Sequence, residues 1–380
     1  MLRGVAVLGI LLININSFAL PLDAIDTLYT AGYNHAADAV AFAVVSVLGQ
    51  GKFVSLFALM FGAGVAMMVD RRRQRGEPAI GLHYRRIGTL AAIGLIHGLF
   101  IWHGDILLFY AVAGAILYPL LTLSPRTLIR LAVGTWGLAL LVALGLGMLF
   151  VWIGSGPAEG EGSSLIFKNE IELMRGGVLD VMKVRFVHWL VFTLLMLFIG
   201  LPWVMALMMT GAAAYRAGWV TGQRTAQAYR RLLVVGLLVG LPLAILRTTL
   251  VLTRQDEAAL ALGMMLNYAA SAGVGAAWLS LVMLAVKAGL WTVLRRHLAA
   301  VGQMALTNYL MQSIICTAIF YGYGFGLFGS MSRSELLLVV VGVWAVQLLW
   351  SPWWLKRHDR GPMEAIWRKL TYPKAMTRQG

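Results

Sequence analysis

Charge is scarce in this 380-residue chain: only 12% of its residues are charged, and 16 acidic residues stand against 31 lysines and arginines. A soluble domain carries about twice that share of charge and is only about half apolar. With so few charged side chains and 60% hydrophobic residues, a water-facing surface cannot be built over the whole molecule. Cysteine is nearly absent. The single Cys316 excludes an intramolecular disulfide and, lying in an apolar run, any Cys-based metal cluster. No Walker loop, nucleotide-binding glycine fingerprint or Gly-x-Ser-x-Gly elbow occurs.

What is present in quantity is apolar sequence. Mean hydropathy is +0.79, and runs of about 18 residues or more recur from end to end, the pattern of membrane-crossing helices. The expected fold is all-α, with about ten spans near 4–20, 40–69, 86–102, 105–123, 131–153, 187–213, 232–252, 258–287, 303–322 and 335–355. The second contains "LGQGKF" (48–53) and is expected to be broken or steeply tilted. The first span is expected to be retained, since Asn14 and Asn16 interrupt it and no small-x-small cleavage site follows. One transmembrane domain results: a first half over 1–153, an external loop over 154–186 containing "GSGPAEGEGSS", a second half over 187–355 and a cytoplasmic tail over 356–380. Ten spans permit two inverted five-helix halves.

The net charge of +15 does not point to nucleic acid, because the cations sit in short segments between apolar runs. With the N-terminus in the cytoplasm, 23 of the 31 lysines and arginines fall on the cytoplasmic side and 6 on the other, leaving Lys52 and Arg247 inside spans. The distribution predicts a multi-pass protein of the bacterial inner membrane with both termini cytoplasmic. Membrane lipids are its expected surroundings, and Trp344, Trp350, Trp353 and Trp354 with Lys356 and Arg357 fit an interfacial belt.

Polar groups inside this frame are costly and mark candidate sites. "LIHGLFIWHGDILLFY" (95–110) holds His97, His103 and Asp105 around a tight external turn. Gly94 and Gly98 let a neighbour approach closely, so His97 is expected to face protein. His97 suits a general base and Asp105 its orienting carboxylate; an interhelical hydrogen bond and a helix cap are the structural readings of the same two residues. His103 is expected at the interface without a role. His35 lies in the first external loop and Asn14 near the external end of the first span, at the same expected depth. Asn16, Lys52, Asn308 and Gln312 are expected to border a substrate cavity that converges with His97 and Asp105; for the last two, four apart in "GQMALTNYLMQS" (302–313), helix packing is the competing role. Arg72, Arg85 and Arg86 lie in the basic cytoplasmic segment, where topology alone accounts for them. A metal is not expected, since His97 and His103 lack ligand spacing.

Five blocks carry a resemblance: "RGVAVLGILLININSFALP" (3–21), "GKFVSLFALMFGAG" (51–64), "HGLFIWHGDILLFY" (97–110), "GQMALTNYLMQSIICTAIFYGYGFGLFG" (302–329) and "QLLWSPWWLKRHDRGPMEAIWRKLTY" (347–372). Their order resembles the YeiB-like membrane proteins of domain of unknown function 418, apart from the start, where Met1 stands in place of a short acidic lead. More distantly, the chain is similar to transmembrane acyltransferases of the heparan-glucosaminide acetyltransferase type. That second resemblance implies Asn14 or Asn16 and His35 as counterparts of an essential asparagine and histidine. It also implies acyl-CoA or acetyl-CoA as donor, with Arg72, Arg85 and Arg86 as candidates for its phosphates, their topological role being the competing one, and a sugar or other small molecule as acceptor. Two alternatives use the same residues differently. A secondary transporter would relay ions through Lys52, His97 and Asp105, and an assembly or lipid-organising protein would need only the aromatic edge.

Overall fold

The computed structural model describes residues 1–25, 36–154, 169–254 and 256–372. Its elements are helices, in the order α1 (Leu2–Ala19), a 3-10 turn at Leu22–Ala24, α2 (Ala36–Leu48), α3 (Lys52–Gln74), α4 (Ile80–Phe100), α5 (Leu107–Leu120), α6 (Pro125–Gly154), α7 (Glu170–Arg175) and α8 (Val178–Leu195). A π-turn at Met196–Gly200 leads into α9 (Leu201–Arg216), followed by α10 (Ala226–Thr253), α11 (Glu257–Lys287), α12 (Thr292–Gln303), α13 (Ala305–Phe320), α14 (Arg333–Leu355) and α15 (Pro362–Thr371). The π-turn has a chemical cause. Pro202 offers no N–H to the preceding turn, and the helix widens just before it.

Among the described residues, seven helical segments are long and apolar enough to cross a membrane, and α5 and α13 are shorter apolar helices. Large apolar side chains such as Leu141, Leu238, Leu338 and Leu349 stand exposed on the long helices, which suits a lipid-facing exterior. Inside, close crossings use small residues. A Cβ on Gly62 would meet the Met208 carbonyl at 2.1 Å, and one on Gly211 would meet that of Leu59 at 1.9 Å, so α3 and α9 cross backbone to backbone.

The expected break in the second span is real. The chain leaves α2 at Gly49, Gly51 takes φ 77 in the left-handed region, and α3 starts anew at Lys52. Part of the connection expected over 154–186 is helical: α7 and the first turns of α8 occupy most of 169–186, and 155–168 lie outside the described residues. Nor is the stretch after 355 a free tail. Within it α15 folds back on α4 and α13, and 373–380 lie outside the described residues.

Two ends of the bundle differ in chemistry. One gathers the start of α1, the end of α3, the start of α4, Arg216 and α15; there Arg216 grips Asp70 at 2.9 Å and 3.0 Å and the carbonyls of Leu121 and Leu123. This is the basic end. The α4–α5 turn, the end of α1 and the start of α14 lie at the opposite end, where Gly329 donates its N–H to the Ala19 carbonyl. The two sequence halves interleave: α1 packs on α3, α12, α13 and α14, and α3 packs on α9 and α11.

Candidate functional site

The α4–α5 hairpin turns where His97 predicts it. Both Ile101 and Trp102 donate their N–H groups to the His97 carbonyl, which ends α4, and Asp105 opens α5 by accepting the Leu108 N–H at 2.9 Å. The other oxygen of Asp105 lies 2.8 Å from His97 Nδ1. The helix cap and the orienting carboxylate are therefore one residue. Gly94 makes this possible: a Cβ there would stand 2.8 Å from Asp105 Oδ2 and 2.5 Å from the Leu108 nitrogen. Gly98 makes room for the Trp189 indole in the same way.

On its far side the imidazole meets α13. His97 Nε2 lies 2.9 Å from Ser313 Oγ. With the Nδ1 proton donated to Asp105, Nε2 is left to accept from the serine hydroxyl, the tautomer this arrangement assigns. Asp105, His97 and Ser313 are all sealed from solvent, at 2%, 1% and 1% exposure. Tyr309, one turn before Ser313 on the same face of α13, packs its ring 5.1 Å from that of His97. Its hydroxyl is buried and has no hydrogen-bond partner of ordinary geometry.

A cavity of about 140 Å³ leads up to Tyr309 from the basic end. Arg3, Arg86, Gln303, Glu364 and Trp367 line one part of it; Phe57, Phe61, Ile87 and Leu90 form apolar walls; Leu107, Tyr110 and Tyr309 also line it. Arg86 lies under the Trp367 ring at 4.4 Å, and its carbonyl accepts the indole N–H. The Glu364 carboxylate is occupied by the start of α13, accepting the N–H groups of Leu306 and Thr307 and the Thr307 hydroxyl. Arg3 and Arg86 are thus the cations of the cavity without a carboxylate partner, Arg86 being stacked on Trp367.

The other sequence-predicted residues distribute unevenly around this centre. His35 lies outside the described residues. Asn14 is half-buried, and no hydrogen bond joins it to His97 or Asp105. The expected convergence of Lys52 and Asn16 on the histidine does not occur. Lys52 is fully buried, donating to the Ser46 carbonyl at 2.9 Å and to Asn267 Oδ1 at 3.0 Å. Ser46 Oγ in turn accepts from Arg247 at 2.6 Å. Asn16 accepts from Arg333, which also donates to the Ala24 carbonyl. The physical reason is neighbour choice: α3 packs on α11, where Lys52 finds Asn267, whereas α4 packs on α5, α8 and α15 and reaches α13 through His97. Asp38, one of the acids of the first loop region, accepts from the N–H and hydroxyl of Ser334 at the start of α14.

Asn308 and Gln312 are buried, facing the bundle as their spacing predicts, and both are committed to helix packing. Asn308 donates to the Val301 carbonyl and Ser351 and accepts from Trp350; Gln312 donates to the Val7 carbonyl and to Gln347. Of the three arginine candidates only Arg86 lines the cavity. Arg72 is turned to Glu77 and the Pro78 carbonyl, and Arg85 is exposed. His103 does not lie at the interface. It is buried, 3.1 Å from Ser17 Oγ, and packs against His188, which lies 3.6 Å from Glu170. No group of three or more metal-ligating side chains forms among the described residues.

Sequence reasoning missed Ser313, Arg3, Tyr309 and Trp367. For Ser313 a faint signal existed: Tyr309 and Ser313 repeat at the same four-residue spacing as Asn308 and Gln312, one position on, and so mark a second inward face of α13.

A helical bundle with an apolar exterior and a sealed His–Asp–Ser cluster beneath a basic-ended cavity defines a multi-pass membrane protein with an internal polar site. The chain belongs to the DUF418 family of YeiB-like proteins. Residues 214–374 match the family model described as "Protein of unknown function (DUF418)". The chain is 35% identical to the uncharacterized protein YeiB of Escherichia coli (strain K12), over 97% of this chain and 94% of that protein. It is 31% identical to the uncharacterized protein YxaH of Bacillus subtilis (strain 168), over 98% and 92%. No solved structure matches.

Proposed function

We propose that this protein is a transmembrane acyltransferase of the bacterial inner membrane. It takes an acyl group from acyl-coenzyme A at the basic, cytoplasmic end and delivers it to a hydroxyl or amine acceptor, such as a sugar, at the opposite face. The observation that carries this reading is the cavity that begins between Arg3 and Arg86 and reaches the tyrosine packed on His97. Two guanidinium groups suit the phosphates of the coenzyme, and an apolar interior suits its thioester arm. The cavity is too small for the whole donor, so the nucleotide stays at the mouth. His97, oriented by Asp105, is the base. Ten crossings, with both chain ends in the cytoplasm, follow from the bias of basic residues and put the basic end on the side where acyl-coenzyme A is made.

Titration of the purified protein with acetyl-CoA tests the donor site. Arg3→Gln combined with Arg86→Gln should weaken binding at least tenfold. Gly64→Ala should do so more mildly, because its new methyl would stand 2.6 Å from Arg3 Nη2 and push that flexible side chain aside without disturbing the backbone. No binding by the unaltered protein, or binding that survives the double substitution, would overturn the reading.

A further inference from the structure

The Asp105–His97–Ser313 line has the connectivity of a nucleophilic triad. The carboxylate meets Nδ1 at 2.8 Å, and Nε2 meets a serine hydroxyl at 2.9 Å. A hydroxyl placed there solely to satisfy the imidazole would be an ordinary interhelical tie. Two further features exceed what such a tie needs. Ser313 shares its face of α13 with Tyr309, one turn away, and Tyr309 lines the cavity. That same tyrosine packs its ring on the imidazole, and its buried hydroxyl has no hydrogen-bond partner of ordinary geometry, with the Ile106 backbone and the Asp105 carboxylate as its polar neighbours.

We infer that Ser313 is a covalent nucleophile, acylated by a thioester before the acyl group passes to its acceptor. This rests on the acyl-transfer reading and adds to it a two-step course. In the first step Ser313 Oγ attacks the thioester carbonyl carbon, and His97 Nε2 takes the hydroxyl proton. The carbon–sulfur bond then breaks, His97 returns the proton to the departing thiolate, and an acyl ester remains on Ser313. In the second step an acceptor hydroxyl attacks that ester, His97 takes its proton, and the serine oxygen leaves and recovers a proton from the imidazolium. Asp105 holds the imidazole in register through both steps, and the Tyr309 hydroxyl donates to the carbonyl oxygen as charge develops there. No redox partner or metal is required.

The purified full-length protein is mixed with acetyl-CoA, acceptor omitted, and its intact mass is followed. A mass increase of one acetyl group, located on the peptide carrying Ser313, is expected. Ser313→Ala and His97→Ala should each lower that labelling at least a hundredfold while the proteins elute as folded monodisperse species. Ser313→Cys should restore it, now as a thioester that neutral hydroxylamine removes, a signature no packing role produces. Labelling that persists in Ser313→Ala overturns the covalent step. Transfer from acetyl-CoA at an unchanged rate in Ser313→Ala also overturns it, while leaving direct transfer by His97 standing. A failure of the unaltered protein to bind or react with acetyl-CoA removes both readings together.

Discussion

A carboxylate has two oxygens, and Asp105 uses each for a different purpose: one starts α5 and the other fixes His97. The amide of Asp105→Asn keeps the shape but can accept with only one of its two ends. Either the cap or the imidazole is lost. If the cap is retained, transfer from acetyl-CoA should fall about a thousandfold or more, because the imidazole adopts the wrong tautomer. Thermal stability should then change by only about 1 kcal/mol, the usual worth of one hydrogen bond. A rate within a few-fold of the unaltered protein, measured with the folded variant, would remove Asp105 from the chemistry. His97, Asp105 and their glycine neighbours were legible in the sequence because histidine and aspartate are conspicuous in an apolar run. Ser313 was not: a serine costs little in a membrane helix, and nothing in composition separates a nucleophile from a hydroxyl that bonds its own helix. Lys52 was legible as buried but not as remote from His97, since its partner Asn267 lies 215 positions away along the chain.

Among the elements, α13 has two working faces. Asn308 and Gln312 tie it to α1, α12 and α14, while Tyr309 and Ser313 address the α4–α5 hairpin. Helical periodicity exposes the first pair directly and the second only once the neighbours are known. The start of this helix is held by α15, through the three hydrogen bonds to Glu364. Glu364→Ala leaves the Leu306 and Thr307 N–H groups without that acceptor, at a cost of about 1–3 kcal/mol. The expected result is faster amide exchange across Pro362–Thr371, and weaker acetyl-CoA binding as Trp367 leaves Arg86. Unchanged exchange over α15 would show that its apolar contacts alone hold it. A short helix at the end of a basic segment reads from sequence as a solvated tail; its docking depends on tertiary partners that a single chain's pattern does not display.

For the molecule as a whole, the apolar runs and the break at Gly51 were readable because lipid imposes them locally, whereas the pairing of helices is settled by shape. The orientation is open to a direct test. Lys183 is 71% exposed, and Arg185 two residues on donates to the Ile101 carbonyl, at the end opposite the basic one. Lys183→Cys should react with a membrane-impermeant maleimide added to intact cells. The native Cys316 is fully buried and gives no background. Reaction only after the cells are opened would invert the topology. The packing of α1 also bears on how the molecule comes into being. This helix is sealed by α12, α13 and α14, which follow it by nearly three hundred residues, and a Cβ on Gly4 would meet the Leu298 carbonyl at 1.9 Å. During synthesis its small-residue face, and the arginine and asparagines it carries, must wait in the bilayer or in the care of the insertion machinery until most of the chain has followed. A message cut short after α11 therefore yields a product whose first helix has lost most of its cover, and quality-control proteolysis has a ready mark by which to tell it from the finished protein.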